Sequence, residues 1–431
     1  MGFLEKDKAM VWHPYTAVTD SESPLLIEKA NGVFLFDSSG RAILDAVGSW
    51  WVNLHGHSHP YIAQKIFEQA QKLEHVMFAG FTHQPAIQLA ERLLGLFRGH
   101  FSKIFYSDNG STAIEVALKM SFQYWYNLGK VKKKVLALEG SYHGDTFGAM
   151  SVGERSIFTQ AFQPFLFEVE YLPIHESSIQ KAQALFAGGE YSCFIFEPLI
   201  QGASGMKMHS ATWLDSILEV AQKNEVICIA DEVFTGFGRT GSNFAIDYLK
   251  NQPEIICLSK GLTGGALPLG VTLCIERIHQ AFKEEKNLSK DLEGLNIRTF
   301  FHGHSFTANP LACVSALASL DLFQEDSCQA AIQMIEESHL NFQNNTPLSD
   351  YPSIQNIRTK GVVLAIDYLA HGEPGYLSEL RNELYNYFLE KSILMRPLGN
   401  TVYVVPPYCI TQDQLQLIYR AILDFKPKIV G

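Results

Sequence analysis

The chain has 431 residues, with 34 Lys and Arg against 45 Asp and Glu, a formal charge of −11. That balance argues against a nucleic-acid partner, because neutralising phosphates takes a basic face and the longest basic block is the short 130–134 stretch. The composition, 47% hydrophobic and 18% charged, holds ample core material, and the apolar runs are strand-length, far short of the ~20 residues of a bilayer span.

The first residues, Met1 to Lys8, are charged and lack the apolar run of a signal peptide. Cysteines stand at 193, 228, 257, 274, 313, 328 and 409 with no close pair, which fits reduced thiols and a cytoplasmic location and excludes a CxxC metal or redox motif.

From about 100 to 275 a short apolar run, a polar loop and a helical pattern alternate. Runs at 103–106, 134–138, 192–196, 226–230, 255–258 and 271–275 read as strands buried on both faces, the mark of a mostly parallel sheet between helices. After about 310 a long helical stretch gives way to a strand at 361–367, a helix at 376–391, a strand at 401–405 and a final helix opened by Thr411 and Gln414 in capping-box spacing. Residues 284–296 and 343–353 read as surface loops. The pattern predicts three units: an N-terminal segment, 1–60, that joins a small α+β domain at 313–431, and a large α/β domain at 61–312.

In such sheets ligands gather outside the carboxyl ends of the strands. Those exits carry Asp108-Asn109-Gly110-Ser111-Thr112, Gly140-Ser141-Tyr142-His143-Gly144-Asp145, Glu197-Pro198, Asp231-Glu232-Val233 and Ser259-Lys260-Gly261. The first opens a helix, whose N-terminal amides and dipole would bind a phosphate; the same letters also read as a plain cap with Thr112 and Glu115 as its box. Lys260 is either a surface loop residue or, desolvated at an apolar strand end, a reactive amine. Asp231, 29 residues earlier, would be an isolated buried carboxylate unless it meets a cation such as a protonated pyridine nitrogen. A phosphate cradle, an aromatic face at Tyr142, a buried carboxylate and a strand-end lysine are together what pyridoxal phosphate requires.

Gly236-Phe237-Gly238-Arg239-Thr240-Gly241 spells GxGxxG but stands away from a strand-to-helix junction, so it reads as a turn presenting Arg239. The histidines of 55–59 and 302–304 raise a metal site, without a carboxylate nearby to complete a ligand set, and none is expected. Of the adjacent Trp50 and Trp51 at least one should line a cavity or interface. Arg396 is either a surface ion pair or a clamp for a substrate carboxylate.

Tyr142-His143-Gly144-Asp145-Thr146, the stretch from Asp231 to Gly241, and Ser259-Lys260-Gly261-Leu262-Thr263-Gly264-Gly265 resemble the subgroup III aminotransferases of pyridoxal-phosphate fold type I. Trp12-His13-Pro14-Tyr15-Thr16, Ser49-Trp50-Trp51 and Asn309-Pro310-Leu311-Ala312-Cys313 are similar to its biotin-pathway branch. The resemblance, over about 10–425, implies an α/β fold with a mostly parallel seven-stranded sheet and a smaller α+β domain. It also implies a cytoplasmic homodimer with sites at the subunit interface, and transfer of an amino group from S-adenosylmethionine, or lysine in some relatives, to 8-amino-7-oxononanoate.

The resemblance further implies roles for single residues. Lys260 would carry the cofactor and shuttle the proton, with Tyr15 beside it. Asp231 would face the pyridine nitrogen, Tyr142 and Val233 the two ring faces, and Gly110 and Ser111 the phosphate. Ser305 of the second subunit would reach that phosphate, with His304 beside it; the two stand where one common form of the motif has threonine and proline. Arg396 would clamp the acceptor's carboxylate, Arg239 would tune which carboxylates enter, and Tyr15, Trp50, Trp51, Tyr142, Asp145, Lys260 and Gly303 would line the pocket. Tyr403 would favour the adenosyl donor. Competing readings are a transaminase of ω-amino acids, a non-catalytic binder of phosphate ligands and a histidine-metal protein.

Overall fold

The computed structural model describes residues 2–18, 24–284, 297–369, 378 and 380–427. The loop expected at 284–296 and the start of the helix expected at 376 lie, apart from residue 284, outside these residues.

Seven strands form the main sheet, in the spatial order Lys103–Ser107, Gly270–Cys274, Ile255–Leu258, Ile227–Asp231, Tyr191–Phe196, Lys134–Leu138, Glu170–Leu172. Gly270–Cys274 runs antiparallel to both neighbours; the pairings among the other strands are parallel. The three central strands are buried at every position, as their continuous apolar runs require. Parallel register sets Asp231 opposite Cys257 and Ala230 opposite Phe196, so the exits that carry Glu197, Asp231 and Lys260 open on the same edge of the sheet.

Helix Gly110–Asn127 crosses one face, burying Ala113, Ile114, Ala117, Leu118 and Trp125. The indole of Trp125 donates to the Ser192 carbonyl at 2.9 Å, which satisfies its one polar atom inside the core. Its cap differs from the one expected. Asn109, not Thr112, is the N-cap: its side chain accepts from the Thr112 amide at 2.9 Å, while the Thr112 hydroxyl accepts from the Asn109 amide. Glu115 instead turns outward, accepting from the Thr146 hydroxyl and the Gly148 amide at 2.6 and 2.7 Å, and so anchors the start of the next helix, Phe147–Val152.

The chain ends share a second sheet. Strands Ile27–Asn31, Phe34–Asp37 and Ala42–Asp45 are antiparallel, and Ile393–Leu394 adds in parallel beside Leu44 and Asp45. A third, antiparallel sheet joins Ile354–Lys360, Val363–Tyr368 and Thr401–Val404. Helix Asp326–Asn344 packs on it and against helix Gln412–Asp424, which is capped by the Thr411–Gln414 box. Among the described residues no helix is long and apolar enough to cross a membrane.

Candidate active site

Two cavities of about 440 and 400 Å³ open at the carboxyl edge of the main sheet. Both are lined by Trp51, Val52, Tyr142, Gly144, Ala203 and Lys260, so they form one space with an inner and an outer lobe that meet at the lysine.

The inner lobe is built from strand exits. Asn109, Gly110 and Ser111 present the start of an 18-residue helix, and the Gly110 and Ser111 amides have no acceptor among the described residues. A Cβ at Gly110 would stand 2.7 Å from Val233 Cγ1, so only glycine lets this turn close against the Val233 wall. Gly144, at φ +125°, leaves room for the Ser111 hydroxyl, which accepts from the Asp145 amide at 3.2 Å. The result is a cradle of free donors at a positive helix end, suited to a phosphate.

Across the lobe lies Asp231. One carboxylate oxygen accepts from the Val233 amide at 3.0 Å; the other meets His143 Nδ1 at 2.7 Å. His143 is buried, and its Nε2 has no hydrogen-bond partner among the described residues. With Nδ1 bonded, this imidazole fixes one Asp231 carboxylate oxygen, a role the sequence does not assign although His143 directly follows Tyr142. Glu197, at another of the strand exits, accepts from the Tyr142 and Gly202 amides at 3.1 and 3.0 Å, fixing the backbone on which Tyr142 stands. Burial lifts the Glu197 carboxyl to about 7. A ring bearing a phosphate and a basic nitrogen fits this lobe: Gly110 and Ser111 for the anion, Tyr142 and Val233 on the walls, Asp231 for the nitrogen.

Lys260 follows strand Ile255–Leu258 and adopts φ +43°, a conformation disfavoured for a side chain with a Cβ. The surrounding turn over-determines it: Ser259 Oγ donates to the Leu269 carbonyl, and Ser315 and Ser319 of helix Pro310–Phe323 donate to the Thr263 and Gly261 carbonyls. The ammonium lies 4.9 Å from the centre of the Trp51 ring. Burial lowers its pKa from the ordinary lysine value, with the negative charges of Asp231 and Glu197 working the other way.

The outer lobe is assembled from separate loops. After strand Ala42–Asp45 the chain enters the left-handed region at Gly48, Ser49, Trp50 and Trp51. This turn explains how adjacent tryptophans both line one space. Three non-glycine residues in that region cost on the order of 3 kcal/mol. The fully buried Asp45 offsets this by accepting from the Val47 amide at 3.1 Å and the Ser49 hydroxyl at 2.9 Å and pairing with His57 Nε2 at 2.9 Å.

Strand Ile393–Leu394, beside Leu44 and Asp45, delivers Arg396 to the same wall, its guanidinium 4.1 Å from the Trp50 ring centre and without a carboxylate partner among the described residues. Tyr15, also at positive φ, donates to Asp145 and lies 3.3 Å from the Tyr142 hydroxyl. It meets Trp50 and Phe158 edge-on at 5.4 and 6.2 Å, making an aromatic wall.

Other expected residues fall elsewhere. Arg239 is a correction: it is 1% exposed, its guanidinium donates to the carbonyls of Pro406, Trp51 and Asn53, and it lines neither lobe. It ties the tryptophan turn from behind and cannot meet a substrate carboxylate. Tyr403 is likewise buried behind Trp51, ring centres 5.9 Å apart, outside both linings. Gly303, His304 and Ser305 also line neither lobe of this chain; they lie on an exposed stretch between Phe301 and Phe306, which are 73% and 63% exposed. His55 bonds Ser319 and His57 bonds Asp45, so those rings have structural partners, and the described residues contain no group of three or more His, Cys, Asp or Glu able to hold a metal.

Residues 15–425 match the family described as aminotransferase class-III. The chain is 43% identical to the adenosylmethionine-8-amino-7-oxononanoate aminotransferase of Synechococcus elongatus over 97% of this chain and 99% of that one. It is 35% identical to the like-named protein of Helicobacter pylori over 97% and 96%. Among solved structures, the adenosylmethionine-8-amino-7-oxononanoate aminotransferase of Methanocaldococcus jannaschii superposes with a TM-score of 0.91 at 34% identity, over 97% of each chain. A PLP-bound amine transaminase from an uncultivated Pseudomonas species superposes with a TM-score of 0.87 at 28% identity, over 96% and 97%.

Proposed function

The chain is a class-III aminotransferase, and from that premise we propose that it transfers the amino group of S-adenosylmethionine to 8-amino-7-oxononanoate, giving 7,8-diaminononanoate for biotin formation. The cofactor is pyridoxal 5′-phosphate, as in this family. The donor reading rests on relatives that carry the adenosylmethionine name at near full length, which favours it over lysine and over an ω-amino acid transaminase.

The observation that carries the mechanism is the meeting of Lys260, Asp231 and the Gly110–Ser111 amides around one lobe. When bound, the cofactor supplies an aldehyde and an electron-withdrawing ring that takes up the electron pair released at the reacting carbon. Asp231, kept in place by His143, favours a protonated ring nitrogen. Lys260, its basicity lowered by burial, accepts a proton at Nζ and returns it. Tyr142, Trp51 and Val233 keep water from the lobe, while Gly110 and Ser111 hold the phosphate. Arg396 takes the carboxylate of each substrate in turn, and Tyr15 and Asp145 orient the reacting end.

The hydroxyl of Ser305 from a second copy completes the phosphate site, with His304 and Gly303 beside it, so the active form is a homodimer. Its partners are small molecules, and seven unpaired cysteines, five of them buried, agree with action in the cytoplasm.

The test is optical. Purified holoenzyme should be yellow, lose that colour with S-adenosylmethionine alone, and regain it with 8-amino-7-oxononanoate. Bleaching by lysine and not by S-adenosylmethionine would change the donor, and a colourless protein would sink the reading.

A further inference from the structure

The outer lobe contains two charged side chains that have neither an ion pair nor a hydrogen bond among the described residues. Asp145 is engaged by Tyr15, and Lys260 belongs to the junction of the lobes. Arg396 stacks on Trp50 with no carboxylate beside it among the described residues. The other is Glu154. It lines the outer lobe, is exposed there, and its carboxylate has neither an ion pair nor a hydrogen bond among the described residues. Its backbone, by contrast, is firmly held. The Glu154 amide donates to the Ser141 carbonyl at 2.8 Å, and Tyr171 donates to the Gly153 carbonyl at 2.6 Å. Arg155 donates to the carbonyls of Met150, Ser151 and Phe167. A pinned backbone carrying an uncompensated carboxylate on a cavity wall is a fixed negative field awaiting a cation.

The two substrates differ in where they carry positive charge. The acceptor's ammonium is on the carbon next to the ketone, so it stays at the junction beside Lys260, Tyr15 and Asp145. The donor's sulfonium is three bonds beyond its reacting carbon and extends into the outer lobe, along the aromatic wall of Tyr15, Trp50 and Phe158. We propose that Glu154 is a specificity-determining residue that selects the donor by attraction to its remote fixed positive charge, with Arg396 taking the donor's carboxylate at the opposite sign. This rests on the donor reading above and adds the residue that would enforce it.

The test compares half-reactions of the holoenzyme, followed by cofactor absorbance. S-Adenosylhomocysteine has the donor's skeleton without the methyl group and the charge. In Glu154→Gln, kcat/KM for S-adenosylmethionine should fall about three- to fivefold, the range of a solvent-accessible charge pair, through KM. The values for S-adenosylhomocysteine and for the acceptor half-reaction should move less than that. The wild-type preference for the charged donor should shrink with added salt and that of Glu154→Gln should not. Glu154→Asp, which keeps the charge, should recover most of the preference, a response that general damage to the fold would not give. Equal losses for both adenosyl compounds, or no loss, would overturn the assignment. If wild type fails to bleach with S-adenosylmethionine, the donor reading itself has failed; if wild type bleaches and Glu154→Gln keeps its preference, only the role of Glu154 has.

Discussion

The inner lobe takes its walls from the ends of neighbouring strands, whereas the outer lobe is gathered from residue 15, the 48–52 turn, the 140–159 loops and 396–398. Strand register fixes Glu197, Asp231 and Lys260 relative to one another, and the polar groups there are tied mostly to backbone amides and to each other. In the outer lobe the frame is a left-handed turn and pinned loops, and two charges are left to the substrate. Chemistry common to both half-reactions therefore sits on the rigid sheet, and discrimination between substrates sits on loops. Substitutions in the inner lobe should harm both half-reactions alike; in the outer lobe Glu154→Gln should separate them, while loss of the shared carboxylate clamp, Arg396, should not.

The largest effect belongs to Lys260→Ala. Both half-reactions should fall by up to about ten-thousandfold, the upper scale of losing a proton-transfer group, in single-turnover measurements. Retained turnover in either direction would remove Lys260 from the mechanism and end the division between lobes as drawn.

Next is Asp45→Ala, outside both lobes. It removes the buried carboxylate that holds the tryptophan turn and leaves His57 without its partner. The expected loss is about 3 kcal/mol in denaturant unfolding, together with a raised KM for both substrates as Trp50 and Trp51 lose their frame. A stability loss without any kinetic change would separate the turn from the pocket. Arg396→Ala should follow, with kcat/KM for each carboxylate-bearing substrate down about a hundredfold and the cofactor spectrum unchanged. An effect on cofactor binding instead would move Arg396 to the inner lobe.

The same contrast governs how much the sequence disclosed. The inner lobe was legible because strand exits are adjacent in space whenever the strands are, so Asp108, Tyr142, Glu197, Asp231 and Lys260 could be gathered from their apolar runs alone. The partnership of His143 with Asp231 was not, since a side-chain pair 88 residues apart depends on rotamers that patterning does not encode. In the outer lobe the family resemblance supplied Tyr15, Trp50 and Arg396, and the residues themselves gave little. The left-handed run opens at Gly48, but Ser49, Trp50 and Trp51 carry no sign that it continues through them, and Asp45 looks like any strand-end aspartate. Arg239 misled for a related reason: a glycine-rich loop suggests exposure, yet three carbonyls pull its guanidinium into the core. The short strands near the N-terminus leave little trace in the sequence, because their burial is partial and their apolar runs brief.

The smallest expected effect lies in pH dependence, on the inner-lobe side. Burial raises the Glu197 carboxyl from 4.5 to about 7. Between those values the folded chain holds a proton that the unfolded chain has released, so stability falls as pH rises through the window and levels off above it. Glu232, also buried and raised to about 7, adds a slope of the same sign. Glu197→Gln should therefore flatten the decline between pH 4.5 and 7 only in part, by on the order of 1–2 kcal/mol in denaturant midpoints converted to free energy. It carries a kinetic counterpart, because ionised Glu197 helps keep Lys260 protonated. Removing that charge should shift the ascending limb of the pH profile, where the lysine must lose its proton to act as a base, to lower pH in both half-reactions equally. A shift in only one would mean that Glu197 senses the substrate, and the inner lobe would then share in the selectivity assigned to the outer.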